Sequence, residues 1–322
     1  MGAQCTTKND ADGGKKGSSG KTCEMLLVAD KSVYVGSTKE LVLSTFGAPQ
    51  KGILTGDPLF DVVNIPLSSY KSTEMFRVHR NVVVLEIDST HPNKVYRYED
   101  QYSAPQIIYE VCASDRHALD SLLGRIAQRA IEDMRVAEHK RVIKAFLGMK
   151  NVAAMQEFRK QYGFELVMSD EFLLAVKEPD FAWIKKETKD FGIGVLVQRM
   201  PYTAKSQLDS VQVLDAIDTM MRHHVPGPAE GSYMGLERTN WDVSERRVEL
   251  AGQPAVEMRG MWRTFGDFMG GPFVSYSLPM PGNQELLLLV AYAYAPRQTN
   301  SMPYPKRDLL MQVESICWSL KF

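Results

Sequence analysis

The sequence has little of what marks the commonest chemistries. Four cysteines and six histidines are scattered over 322 residues, with no C-x-x-C pair and no zinc-ligand spacing. Lysine and arginine (38) balance aspartate and glutamate (39), so there is no basic footprint for nucleic acid, which is excluded as a partner. No apolar run is long enough to span a bilayer; the longest, Leu286 to Ala291 with its tyrosine continuation, falls well short. Gly192 and Gly194 lack the third glycine and the following helix that a dinucleotide requires. No serine stands in a G-x-S-x-G context. No metal, no cofactor and no catalytic residue is assigned on these grounds.

What is present is a globular composition, 44% hydrophobic, in a chain long enough for two domains of ordinary size. The densest turn chemistry and the most regular strand pattern fall together between Val225 and Ser277. Pro226, Gly227, Pro228 and Gly231 force a shaped loop there. Arg247–Leu250 and Ala255–Thr264 then alternate, with Val256, Met258 and Trp262 to one side and Glu257, Arg259 and Arg263 to the other, which predicts a strand with one wet face. Phe273–Leu278 and Glu285–Ala295 follow as strands; the second is apolar on both faces and belongs at the centre of a covered sheet. The spacing of Leu309, Leu310, Val313, Ile316, Cys317 and Leu320 predicts a covering helix over 305–320.

Earlier in the chain, strands are expected at 24–29, 81–88 and 105–113, and a helix at 38–46. Residues 50–70, broken by proline and glycine, read as an extended surface excursion, and the segment around His91 and Tyr96 as a polar, aromatic loop. Ser114 or Asp115 caps a long helix interrupted near Gly148, and Asn151 caps a further helix that Gly163 stops. Strands at 164–176, 181–186 and 192–201 and a helix at 206–224 lead into the meander. The fold class is therefore α+β, built of two α/β sandwich-like units. A tether (1–20) precedes an N-terminal unit (21–163), and a C-terminal antiparallel sheet with covering helices (164–322) completes the chain.

The first twenty residues bear on address. Cys5 precedes TTKNDADGGKKGSSGK, which has almost nothing to bury and reads as a tether. A cysteine ahead of such a tract is the lipid attachment point of a bacterial lipoprotein after signal removal. MGAQCT also satisfies the pattern for myristoylation of Gly2, and an unstructured terminus with an incidental cysteine is the third reading. The first places the protein at the bacterial cell envelope, held to the membrane through a lipid anchor alone, with the periplasmic or surface face open. If Cys5 is acylated, Cys23, Cys112 and Cys317 permit at most one disulfide.

The segments LLVADKSVY, PLFDVVNIP, FRVHRNVVVLEID, APQII, KEPDFAWIKKE, VPGPAEGSYM and WRTFGDFMGGPFVSYS, with the close from YAPR to SLKF, resemble a family of envelope-associated bacterial lipoproteins known as domain of unknown function 4837. The resemblance runs from Leu26 to Phe322. It implies a lipidated cysteine and an envelope address, and brings no activity.

Candidate function concentrates in the loops around the meander. His223 and His224 are adjacent on a helix and differ by about 100° in direction, which does not suit a shared metal. Ser232 with His224 as base and Asp267 as orienter would make a nucleophilic set, to which Glu230 is adjacent. The loop FGDFMGG sets Trp262, Phe265, Phe268, Met269 and Phe273 beside Arg263 and Asp267, a composition of ligand or partner contacts. The candidate ligand or partner residues are His224, Glu230, Ser232, Tyr233, Trp262, Arg263, Asp267 and Phe268. The expected function is a non-enzymatic binding or assembly module whose partner is an unknown envelope protein or a small ligand. The alternative is a hydrolase or metal-dependent enzyme at His224, Glu230, Ser232 and Asp267.

Overall fold

The computed structural model describes residues 15–90, 92–282, 284–296 and 305–322; Cys5 and the first part of the expected tether lie outside the described residues. The chain divides into two compact units, one of residues 1–49 and 58–141, the other of residues 50–57 and 142–322. The segment 142–163, expected with the first unit, thus packs with the second.

In the first unit β1 (Glu24–Val28) leads through α1 (Ser37–Thr45) to β2 (Asp61–Ile65), and α2 (Leu67–Ser72) and α3 (Glu74–Arg77) lead on to β3 (Asn81–Ile87). A hairpin of β4 (Lys94–Glu99) and β5 (Ile107–Ala113) precedes α4 (Arg116–Gly148), whose last turns belong to the second unit. The sheet order is β2-β1-β3-β5-β4, parallel except for β4 at one edge. Parallel neighbours need crossovers, and α1 and the α2–α3 pair supply them. The surface excursion expected over 50–70 therefore holds a strand and a helix, and the loop expected after β3 holds β4. Both strands are sheet edges, so half of each faces water and neither carries the apolar run that marks a central strand.

Alternation divides the sheet faces. Leu26, Val28, Val82, Val84 and Ile108 pack with Ile65 and with Tyr70, Leu67 and Phe76 from α2 and α3. Tyr109 points the other way and donates to Asp133 of α4 at 2.7 Å. Glu138 of α4, fully buried, accepts hydrogen bonds from Arg80 (2.7 Å), Arg141 (2.9 Å) and Asn81 (2.7 Å) and so ties the helix to the start of β3. Residues 15–20, expected within the tether, are fixed on this unit: Ala104 N–H donates to Lys16 O at 3.0 Å and Ser19 N–H to Val78 O at 3.0 Å.

The second unit begins with α5 (Val152–Tyr162), capped by Asn151, whose side chain accepts from Ala154 N–H at 3.1 Å, and ended at Gly163. Next come β6 (Leu173–Lys177), β7 (Phe181–Glu187), β8 (Gly192–Pro201), α6 (Ser210–His224), β9 (Tyr233–Glu237), β10 (Ser244–Leu250), β11 (Gln253–Phe265), β12 (Gly270–Pro279), β13 (Glu285–Tyr294) and α7 (Lys306–Trp318). One antiparallel sheet runs β10-β11-β12-β13-β8-β7-β6, and β9 joins the end of β11. Of the strand expected at 164–176, β6 is the paired part. Phe164 and residues 166–168 are buried, but the bonds of this stretch go elsewhere: Val167 N–H donates to Ser319 Oγ (2.7 Å), and Glu165 exchanges backbone bonds with Lys321.

Helices cover both faces of this sheet. Leu287, Leu289, Ala291 and Ala293 of β13 pack with Phe158 and Tyr162 of α5 and the Leu309–Leu320 stripe of α7. Leu288, Val290 and Tyr292 pack with Val213, Ile217, Met220 and Met221 of α6. This explains the doubly apolar β13, and it overturns the wet face expected for β11. Glu257 and Arg259 are 2% and 4% exposed, because α7 lies over them. Arg259 Nε donates to Glu257 Oε1 at 2.9 Å, and its guanidinium also pairs with Glu314 of α7, which is fully buried. The Tyr276 hydroxyl donates to Glu314 Oε1 at 2.7 Å and accepts from Trp318 Nε1 at 2.9 Å.

Residues 50–57 enter this unit from far upstream. Ile53 joins the α7-side core, and Arg307 N–H donates to Asp57 Oδ2 at 3.0 Å. The three cysteines of the described residues, Cys23, Cys112 and Cys317, are free thiols.

Deleting one member of a buried ion cluster strands its partner, at about 3–5 kcal/mol. Glu314→Ala is therefore expected to lower the urea unfolding midpoint of the second unit by that order, while exposed Glu249→Ala shifts it by less than about 0.5 kcal/mol. A second expectation concerns pH. Burial lowers the pKa of His79 from its ordinary 6.5, outweighing its bonds to Glu24 (2.8 Å) and Asn81 O (3.2 Å). Below that ordinary value the unfolded chain takes up a proton that the folded chain refuses, so stability falls with pH. Urea midpoints measured between about pH 7.5 and pH 5 should decline for the first unit and decline less for His79→Gln.

Candidate functional site

The loops singled out in the sequence meet at one rim of the second unit. After α6 the chain turns through Pro226–Gly231 into β9, which pairs with the end of β11 so that Tyr233 lies opposite Phe265. The register stacks the two rings, with centroids 5.3 Å apart and planes 17° off parallel. Arg222, in the last turn of α6, lies over Tyr233 at 4.8 Å, and Arg263 over Phe265 at 5.1 Å. Two guanidinium groups thus cap an aromatic pair, each contributing about 0.5–1 kcal/mol at such an exposed site. Arg263 also pairs with Glu237 Oε2 at 3.2 Å. The Thr239 amide, with Asn240 and Arg263, holds that carboxyl below its ordinary range.

The hairpin between β11 and β12 closes tightly. Thr264 N–H donates to Met269 O at 2.8 Å, and Gly266 adopts φ 85°, where a Cβ would also meet the Ser232 Cβ at 3.3 Å. Gly271 lets the Ala293 carbonyl approach so closely that a Cβ would sit 2.0 Å from it. At the tip Phe268 is fully exposed, its amide donating to Asp267 Oδ1 at 2.6 Å.

The remaining candidates are drawn elsewhere. The Ser232 hydroxyl donates to Ala229 O at 2.6 Å, inside its own turn. His224 Nδ1 lies 3.1 Å from Glu178, with the ring stacked on Phe181 at 3.9 Å. Asp267 serves the hairpin. Ser232, His224 and Asp267 therefore form no hydrogen-bonded relay among themselves. Glu230 is exposed in the loop. His223 Nδ1 lies 2.7 Å from Thr219 O, and its ring is 6.5 Å from that of His224 and tilted by 52°. Among the described residues no group of three or more His, Cys, Asp or Glu side chains is placed to hold a metal. Trp262 is buried behind the hairpin, donating to Ala293 O at 3.3 Å and packing edge-on against Tyr292 at 5.8 Å. Of the eight candidates, Tyr233, Arg263 and Phe268 form the surface feature. Arg222 was missed, because a basic residue in a last helical turn signals nothing until the β9–β11 register sets Tyr233 beneath it.

These features define an α+β protein whose C-terminal antiparallel sheet is buried between helices on both faces. Residues 151–319 match the family described as domain of unknown function (DUF4837), and the chain belongs to that family. Residues 18–147 match a second one, domain of unknown function (DUF8532), so the resemblance expected from Leu26 onward divides near the start of the second unit. No curated protein matches the sequence. A crystal structure of LpqN, described as involved in cell envelope biogenesis of Mycobacterium tuberculosis, is similar at 14% identity over 49% of this chain and 82% of its own, with a TM-score of 0.28. A likeness that weak carries no argument about fold or function. Among the described residues no helix is long and apolar enough to cross a membrane.

The rim can be checked by stability alone. Phe268→Ser should leave the unfolding midpoint within about 0.5 kcal/mol of wild type, because its ring touches little. Trp262→Ala should cost about 3–5 kcal/mol in the same urea titration, since it opens a cavity behind the hairpin.

Proposed function

We propose that this protein is a non-enzymatic binding module of the bacterial cell envelope, tethered by a lipid on Cys5, that presents the rim of its second unit to a protein partner. The observation that carries the reading is Phe268, a large apolar ring held wholly in water on a tight hairpin, beside the Arg222–Tyr233–Phe265–Arg263 stack. Nothing in the packing of the unit requires that ring to be aromatic. Arginine and aromatic side chains are the residue types that dominate binding energy at interfaces. A stack already ordered in the free protein loses little side-chain freedom on association. The address rests on the sequence: Cys5 stands ahead of a polar tract that can hold a folded body off a membrane.

Two measurements in the native host test the two halves separately. With an alkyne fatty acid in the medium, the wild-type chain should take up label and Cys5→Ser should not; an unlabelled wild type, or a labelled variant, removes the anchor. A photocrosslinking amino acid at position 268 should yield a discrete adduct with one envelope protein, weakened at least fivefold by Arg222→Ala with Arg263→Ala. A background-level adduct, or one indifferent to the arginines, removes the rim as the binding surface.

A further inference from the structure

The first unit carries a second feature, which the rim does not explain. Between α2–α3 and the floor formed by β3 and β5 lies a groove of about 330 Å³, in the range of a site for a small molecule. Parallel pairing of β3 with β5 puts Glu110 beside Val84 and Glu86 beside Cys112, so both carboxylates stand on the same face. Glu110 accepts from the Tyr98 hydroxyl at 3.3 Å, while Glu86 makes no hydrogen bond or ion pair among the described residues. Among the described residues neither acid has a basic partner within ion-pair distance. On the helix side stand Lys71 and Arg77, also without an ion pair among the described residues. The Arg77 guanidinium rests over the Tyr102 ring at 5.8 Å, and its Nε is buried without a hydrogen bond.

The decisive group is Tyr70. It is 6% exposed, lines the groove, and its buried hydroxyl has no hydrogen-bond partner among the described residues. A buried hydroxyl left unpaired costs about 1–3 kcal/mol, and such groups are rare in native structures. Burial raises the Tyr70 pKa first of all, followed by Tyr102 and Glu110, while Arg77 opposes them. The hydroxyl therefore sits within electrostatic reach of both the acidic and the basic lining.

We propose that this groove binds a small zwitterion, a free α-amino acid, with its ammonium held by Glu86 and Glu110 and its carboxylate by Arg77 and the Tyr70 hydroxyl. Two acids and two bases that line one groove without an ion pair among the described residues fit a ligand that carries both charges, and neither charge alone would satisfy both sides. The ammonium would relieve the Glu110 carboxyl, whose pKa burial raises, with Glu86 adding to the effect. The carboxylate accepts the donors that Tyr70 and Arg77 leave idle. The apolar remainder of the lining, Leu67 and Val84, faces the side chain of the ligand.

The test uses the full chain and the twenty free L-amino acids singly, read by thermal unfolding and by titration calorimetry. At least one should raise the melting temperature of the first unit by about 2–4 °C at saturation. N-acetylation or amidation of that amino acid should weaken binding at least tenfold, as should Tyr70→Phe, Arg77→Met and Glu86→Gln. Among the described residues Glu86 makes no hydrogen bond or ion pair, so its variant changes the charge of the groove and removes no bond of the fold seen there. The inference is overturned if no amino acid shifts the transition. It is equally overturned if the blocked derivatives bind as well as the parent, or if Glu86→Gln binds as tightly as wild type. The result is independent of the rim, since position 268 lies in the other unit.

Discussion

The constraint on which the second unit depends is that the central strands of its sheet have no face left for water. Once α5 and α7 cover one side and α6 the other, a charged side chain on the central strands must find its partner inside. Most are apolar, as in β13. Ser275 and Ser277 of β12 are small polar exceptions, and the charged one is the group formed by Arg259, Glu257, Glu314 and Tyr276, where a strand charge meets a helix charge in the interior. Such a group gains little net stability over apolar replacements, because desolvation consumes most of its attraction. Its effect is on specificity: with the charges paired, α7 has one register on the sheet, and displacement by a turn would bury them unpaired.

The first unit applies the same logic to a different topology. Its central parallel strands β1, β3 and β5 read as apolar runs, and Glu138 beneath Arg80 and Arg141 fixes α4 as Glu314 fixes α7. Where the covering is incomplete, on the α2–α3 side, polar groups are left facing a groove instead of one another. Tyr70 is the mark of that difference. Its hydroxyl is buried like the groups around Arg259, but where those side chains bond to one another, it makes no hydrogen bond among the described residues.

The sequence disclosed these matters unevenly, for physical reasons. Strand β8 was read at its observed bounds, and the Asn151 cap and Gly163 stop were legible because they depend on neighbours a few residues away. Glu257 and Arg259 were misread as a wet face. Alternation reports which residues share a side, while what covers that side is decided by Glu314, 55 residues beyond Arg259. The strands β2 and β4 were missed because edge strands are half polar. At the proposed rim, Tyr233, Arg263 and Phe268 were singled out from composition, whereas the place of Arg222 over Tyr233 depends on a strand register. The groove escaped altogether, because its acids come from two parallel strands and its bases from short helices that no periodicity announces.

The brief segment 50–57 has a consequence for how the polypeptide is assembled. It is synthesised amid the first unit but does its packing in the second, bonding through Asp57 to a residue 250 positions further on. The two bodies are therefore interleaved along the chain, and no single cut releases either of them intact. A nascent chain that has completed the first unit must still keep this stretch waiting until almost the last helix has left the ribosome, and closing so long a loop is among the slower steps open to a folding chain.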